Sequence, residues 1–99
     1  EKNSKEYNKL MNEAIDNYSK AIKIDYKNLT AYNNRGLAKL ELKENEEAIK
    51  DFIKSYELDN DNEAKEKAKN QLINLAKEGY EEAIKFCEEH NINYNDNKE

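Results

Sequence analysis

One cysteine and one histidine sit three residues apart, Cys87 and His90, a spacing that sets both on one face of a helix. A Cys-His pair is the minimum for a nucleophile with its base, but that chemistry also needs a third group to orient the base and donors for an oxyanion. The surrounding residues offer neither. The bland reading of Cys87 is a small packed hydrophobe, and of His90 a helix-end group that suits the negative pole of the dipole. A lone Cys with a lone His also falls short of a four-ligand zinc site. The acidic doublets Glu46-Glu47, Glu81-Glu82 and Glu88-Glu89 are neighbours in sequence. Adjacent helical residues diverge by more than a quarter turn, so these read as solvated faces and first-turn charges, not acid-base partners. Phosphate-cradling loops, dinucleotide fingerprints and basic-aromatic strips are absent from the sequence. The expectation is a chain with no catalytic residues, no metal site and no cofactor.

The elements behind those residues are helical. Leu10, Met11, Ala14, Ile15, Tyr18, Ala21 and Ile22 follow three-and-four spacing, which predicts an amphipathic helix from about Tyr7 to Ile24. Asn28 is placed to cap a second helix over Leu29 to Lys43, with Ala31, Tyr32, Arg35, Gly36, Ala38 and Leu42 on its core side. Asn45 is expected to cap a third, which buries Ala48, Ile49, Phe52, Ile53, Tyr56 and Leu58. Asn60 followed by Glu63 has the form of a capping box ahead of a fourth helix bearing Ala64, Ala68, Leu72, Leu75 and Ala76. Gly79 supplies its left-handed stop. A last helix carries Tyr80, Ala83, Ile84, Phe86 and Cys87 to about His90, and residues 91–99 read as a flexible polar tail.

Proline is absent, glycine occurs only at Gly36 and Gly79, and charged residues make up 39% of 99 positions. Such a composition favours helix nearly throughout, and order must come from the patterning of the apolar residues. The net charge of −5 disfavours nucleic acid as a partner. No apolar run has the length of a membrane span. A single cysteine suits a reducing compartment, and the expected location is cytoplasmic. Opening on Glu1 and not Met leaves room for an upstream leader or anchor.

The pattern repeats. Ala14-Ile15, Tyr18, Ala21-Ile22 and Ile24-Asp25 return as Ala48-Ile49, Phe52, Ser55-Tyr56 and Leu58-Asp59, an offset of 34. That period, with small and large apolar residues at helical spacing, marks stacked helix-turn-helix units. Residues 29–62 resemble a tetratricopeptide repeat (TPR): Tyr32 stands at the family's first-helix aromatic, Gly36 at its glycine, Ala48 and Phe52 at the second-helix alanine and phenylalanine. Three positions depart: Arg35 replaces a leucine, Lys39 a tyrosine and Asn60 a proline. The stems of Arg35 and Lys39 are expected to cover apolar surface while their charged ends reach water.

The resemblance implies an all-α fold, an alpha-alpha superhelix or helical solenoid of about two and a half to three units. Residues 1–90 form the repeat domain: 1–28 a truncated first repeat, 29–62 a complete one, 63–90 a degenerate repeat or cap. It also implies a noncatalytic scaffold that binds a peptide or protein segment in a concave groove. The first-helix side facing that groove carries Thr30, Asn33, Asn34, Leu37, Leu40 and Glu41. Leu37 and Leu40 suit an apolar ligand group, and the two asparagines suit a peptide backbone; a helix-bridging role for Asn34 is the alternative. Of the carboxylate clamp that some members use on chaperones, only a fragment is visible. Asn34 and Asn3 match its asparagines, and Lys65 and Lys69 imitate its cations, although a solvated charged face also accounts for them. The rival to peptide binding is self-association into a homo-oligomer through Met11, Ile15 and Tyr18.

Overall fold

Side chains and turn geometry satisfy backbone groups that helices leave open at several of their ends. The computed structural model describes residues 4–58 and 62–95. Among these, five helices are present and no strand: α1 (Lys5–Ile24), α2 (Leu29–Glu41), α3 (Asn45–Leu58), α4 (Asn62–Lys77) and α5 (Glu81–Glu89). Ser4 caps α1 by accepting from the Tyr7 N–H at 3.0 Å, and Asn28 caps α2 by accepting from Ala31 at 3.0 Å. Asn45 does not fill the capping role expected of it. It is the first residue of α3, and its Nδ2 donates instead to the Tyr80 hydroxyl at 2.6 Å, joining the starts of α3 and α5. The capping box expected at Asn60 lies outside the described residues.

Three helices stop in one way. At the ends of α2, α4 and α5, Lys43, Gly79 and Asn91 adopt φ of 62°, 97° and 57°. In each case the next N–H reaches back five residues, Glu44 to Lys39, Tyr80 to Leu75 and Ile92 to Cys87, at 2.8–3.1 Å. This is the left-handed termination that glycine suits best and asparagine tolerates. Lysine at the first of them is the strained variant. The third has a further consequence: Ile92 and Tyr94 pack against the core, and Tyr94 donates to Glu88 at 3.5 Å. The polar tail read from residue 91 onward is therefore seated on the core through Tyr94, because the turn at Asn91 folds it back. Residues 96–99 lie outside the description.

Connections of only three or four residues turn each helix back on its predecessor. Consecutive helices pack together, and α2 also meets α4 while α3 meets α5. First helices therefore form one layer and second helices the other, a helical repeat superhelix measuring 43 × 31 × 19 Å. The core comprises Ala48, Ile49 and Phe52 of α3, Ala68, Leu72, Leu75 and Ala76 of α4, and Ala83, Phe86 and Cys87 of α5. Gly36 is required at the α2–α3 crossing, since a Cβ there would lie 2.8 Å from the Phe52 ring.

The last unit solves the same packing problem with the sizes exchanged. Matching the helix ends, Lys43 to Gly79, gives an offset of 36 between α2 and α4 and puts Leu72 at the place of Gly36. Matching Ala48 to Ala83 gives 35 and puts Cys87 at the place of Phe52. A glycine with a phenylalanine becomes a leucine with a cysteine, and both members of each pair are buried.

Candidate interaction groove

With α2 fixed by its Asn28 cap, Thr30, Asn33, Asn34 and Leu37 fall on one face of that helix. α4 runs alongside and supplies the opposite wall. Two adjoining pockets open between them. One of about 120 Å³ is lined by Thr30, Asn33, Asn34, Glu63, Ala64 and Lys67. The second, about 290 Å³, is lined by Asn33, Asn34, Leu37, Lys67, Asn70 and Gln71. Asn33, Asn34 and Lys67 border both, so the two are one open cleft. Leu37 is 42% exposed there, an apolar surface among carboxamides.

The six expected groove residues do not behave alike. Thr30, Asn34 and Leu37 lie in the cleft. Asn33 also borders it but is buried, and its Nδ2 donates to the Ala64 carbonyl at 3.1 Å. It holds α2 against the first turn of α4, so the helix-bridging role expected as the alternative for Asn34 falls to Asn33. Leu40 packs against the core cluster and borders a neighbouring pocket that shares Gln71 with the cleft. Glu41 turns the other way: it accepts from the Tyr7 hydroxyl of α1 at 2.7 Å, and that bond raises the Tyr7 pKa.

Residues 11–43 match the family model described as TPR repeat, and residues 29–62 match the model described as Tetratricopeptide repeat. The chain belongs to the tetratricopeptide repeat family. Together the two matches span just over half of it. No curated protein and no solved structure matches the chain.

Family membership gives meaning to Arg35 and Lys39. Their charged ends do not snorkel into water as expected. The Arg35 guanidinium grips Asp51 of α3 with two bonds of 2.8 Å, Lys39 pairs with the same carboxylate at 3.1 Å, and a third guanidinium N–H donates to Ser19 of α1 at 3.0 Å. Asp51 is only 3% exposed. The bond to Asp51 raises the Arg35 pKa, against the opposing effect of burial. A buried carboxylate needs neutralising partners, and one helical turn between two cations brings both onto it. Two departures from the repeat pattern thus serve one buried carboxylate on the neighbouring helix. The arrangement ties α1, α2 and α3 together.

Cys87 and His90, at the end of α5, sit in different surroundings. Cys87 is fully buried, and burial, helped by Glu88, raises its thiol pKa, the opposite of nucleophile activation. His90 stacks on Phe86 with centroids 4.1 Å apart, and its Nδ1 lies 2.9 Å from the Phe86 carbonyl. Among the described residues no group of three His, Cys, Asp or Glu could hold a metal, and no helix is long and apolar enough to cross a membrane. Of the clamp-like cations, Lys65 lies over the Tyr56 ring at 4.7 Å and Lys69 pairs with Glu66 at 3.4 Å. Asn3 is outside the described residues.

The α4 wall of the cleft, Lys67, Asn70 and Gln71, was not anticipated. Its signal was available: the offset of 36 that aligns Lys43 with Gly79 also aligns Asn34 with Asn70.

Proposed function

We propose that this chain is a noncatalytic protein-interaction module that receives a peptide or protein segment in the cleft between α2 and α4. TPR repeats are generally protein-interaction modules, which supports the class of partner. One observation carries the location. Carboxamides from two successive units converge on an open cleft, and those of Asn34, Asn70 and Gln71 make no hydrogen bond to any described residue. Polar groups held open on helices act as a fixed template for a ligand backbone. The test is capture of partners by the full parent protein, compared with Asn34→Ala and Leu37→Glu variants whose thermal melting is unchanged. A partner lost in both variants supports the site; one retained by both rejects it.

A second reading, self-association through α1, is favoured by one comparison. Ala48, Ile49, Phe52 and Ser55 are buried in α3, whereas their repeat equivalents Ala14, Ile15, Tyr18 and Ala21 are half-buried in α1, with Leu10 54% exposed beside them. Sedimentation across a wide concentration range decides it, and a strict monomer removes it.

A further inference from the structure

We infer that α1 pairs with α1 of a second copy of this chain, antiparallel, along a seam formed by Leu10, Ala14, Asn17, Ala21 and Ile24. The inference rests on the self-association reading above and gives it a face, a direction and a register. These residues follow four-three-four-three spacing, the heptad seam by which one helix packs along another. The chain's own fold leaves that seam largely open among the described residues. Ser19, which meets Arg35 of α2, lies on the far side of the helix from Asn17, while Leu10 and Ile24 are 54% and 88% exposed. The large exposed apolar residues among those described are Leu10, Ile24, Tyr26 and Leu37, so all but Leu37 lie on α1 or in the turn that follows it. An apolar stripe of this kind gains by leaving water, and a second copy covers both stripes at once.

Direction follows from side-chain size. With the two-fold axis passing between the levels of Ile15 and Asp16, an antiparallel pair sets Leu10 against Ala21 of the second copy, Ala14 against Asn17 and Ile24 against Tyr7. Through the middle of the seam large side chains then face small ones. A parallel pair stacks Leu10 on Leu10 and each alanine on itself, which crowds one layer and leaves gaps in others. Register follows from charge. Glu6, Glu13 and Lys20 lie along one edge of the seam, are exposed, and have no ion-pair partner among the described residues. The antiparallel pair brings Glu13 beside Lys20 of the second copy, Lys20 beside its Glu13, and Glu6 beside its Lys27. Sliding one chain by a heptad puts Glu13 against Glu13, or Lys20 against Lys20, so only the first register is complementary.

The experiment is sedimentation of the full chain over a wide concentration range, joined to disulfide trapping on a Cys87→Ala background. A monomer–dimer equilibrium is expected. Leu10→Glu should abolish it while leaving the helical circular dichroism and the melting of the monomer unchanged, because Leu10 is exposed there. Glu13→Lys and Lys20→Glu should each weaken dimerisation about tenfold, as two symmetry-related contacts turn from attraction to repulsion, and the double reversal should return it to within about threefold of the parent. Under mild oxidation, Leu10→Cys chains should trap Ala21→Cys chains when the two are mixed, and neither should trap itself. A strict monomer overturns the inference and the self-association reading with it. A dimer that survives Leu10→Glu overturns the face, one that gains nothing from the double reversal overturns the register, and one in which Leu10→Cys traps itself overturns the direction; each leaves self-association standing. Species larger than a dimer also overturn the inference, since a two-fold pair is closed.

Discussion

Replacing Asp51 by alanine isolates the most consequential electrostatic feature of the fold. The Asp51 side chain is 5% exposed, while the side chains it neutralises are 20% (Arg35) and 13% (Lys39) exposed. Removing one partner of a fully buried ion pair costs about 3–5 kcal/mol, mostly from the charge left behind. Arg35 and Lys39 keep some contact with water and long stems that can shift, so the cost here is about 2–3 kcal/mol. For a domain near this length, 1 kcal/mol moves the melting temperature by about 4–8 °C, which puts the expected fall at roughly 8–24 °C. Circular dichroism at the helix band, with heat and with urea, reads it. The triple variant Arg35→Leu, Lys39→Tyr, Asp51→Ala restores the family's apolar residues at the first two positions and should recover most or all of the loss, because well-packed apolar groups commonly match a buried ion cluster. A fall below about 2 °C for Asp51→Ala, or a triple variant less stable than the single, would refute the reasoning. Either would mean that the two cations relax into water at no cost.

Gly36→Ala sets a Cβ against the Phe52 ring; overpacking of about 1–3 kcal/mol should outweigh the helix-propensity gain of about 1 kcal/mol, and urea unfolding measures the net loss. Lys43→Gly relieves a left-handed lysine and should stabilise by about 1 kcal/mol in the same assay. The Cys87 thiol should react with a disulfide reagent at least about 100-fold more slowly in the native chain than in denaturant. Because folding raises the Cys87 pKa, its contribution to stability is complete below the unfolded value near 8.5 and is lost as pH climbs through the higher native one. A pH titration of urea midpoints, with Cys87→Ala as control, checks that sign.

Local patterns made the helices and the tight crossing legible. The stripe of α1, the cap at Asn28, the stop at Gly79 and the meeting of Gly36 with Phe52 each depend on residues a few positions apart or on the repeat itself. Asp51 was not legible, since an acidic residue in an acidic helix looks like solvated surface and its partners lie 16 and 12 positions upstream. A clue existed in Arg35 and Lys39, two cations one turn apart on a face that should be apolar. The division of labour between Asn33 and Asn34 needed the placement of α4, because only the Ala64 carbonyl decides which asparagine is consumed by the fold. Ile92 and Tyr94 were hidden among polar residues, and the turn at Asn91 is what brings them back.

The half-covered state of α1 sets an order of events in unfolding. Among the described helices this one packs on α2 alone, and it contains no buried residue, whereas α3, α4 and α5 share the whole central cluster. In stacked repeats, cohesion is the sum of neighbouring interfaces, so a unit with one interface opens before those with two. Amide hydrogens of α1 should therefore exchange with solvent through excursions that leave the rest of the chain closed. Those of Phe52, Leu72 and Cys87 should wait for global opening.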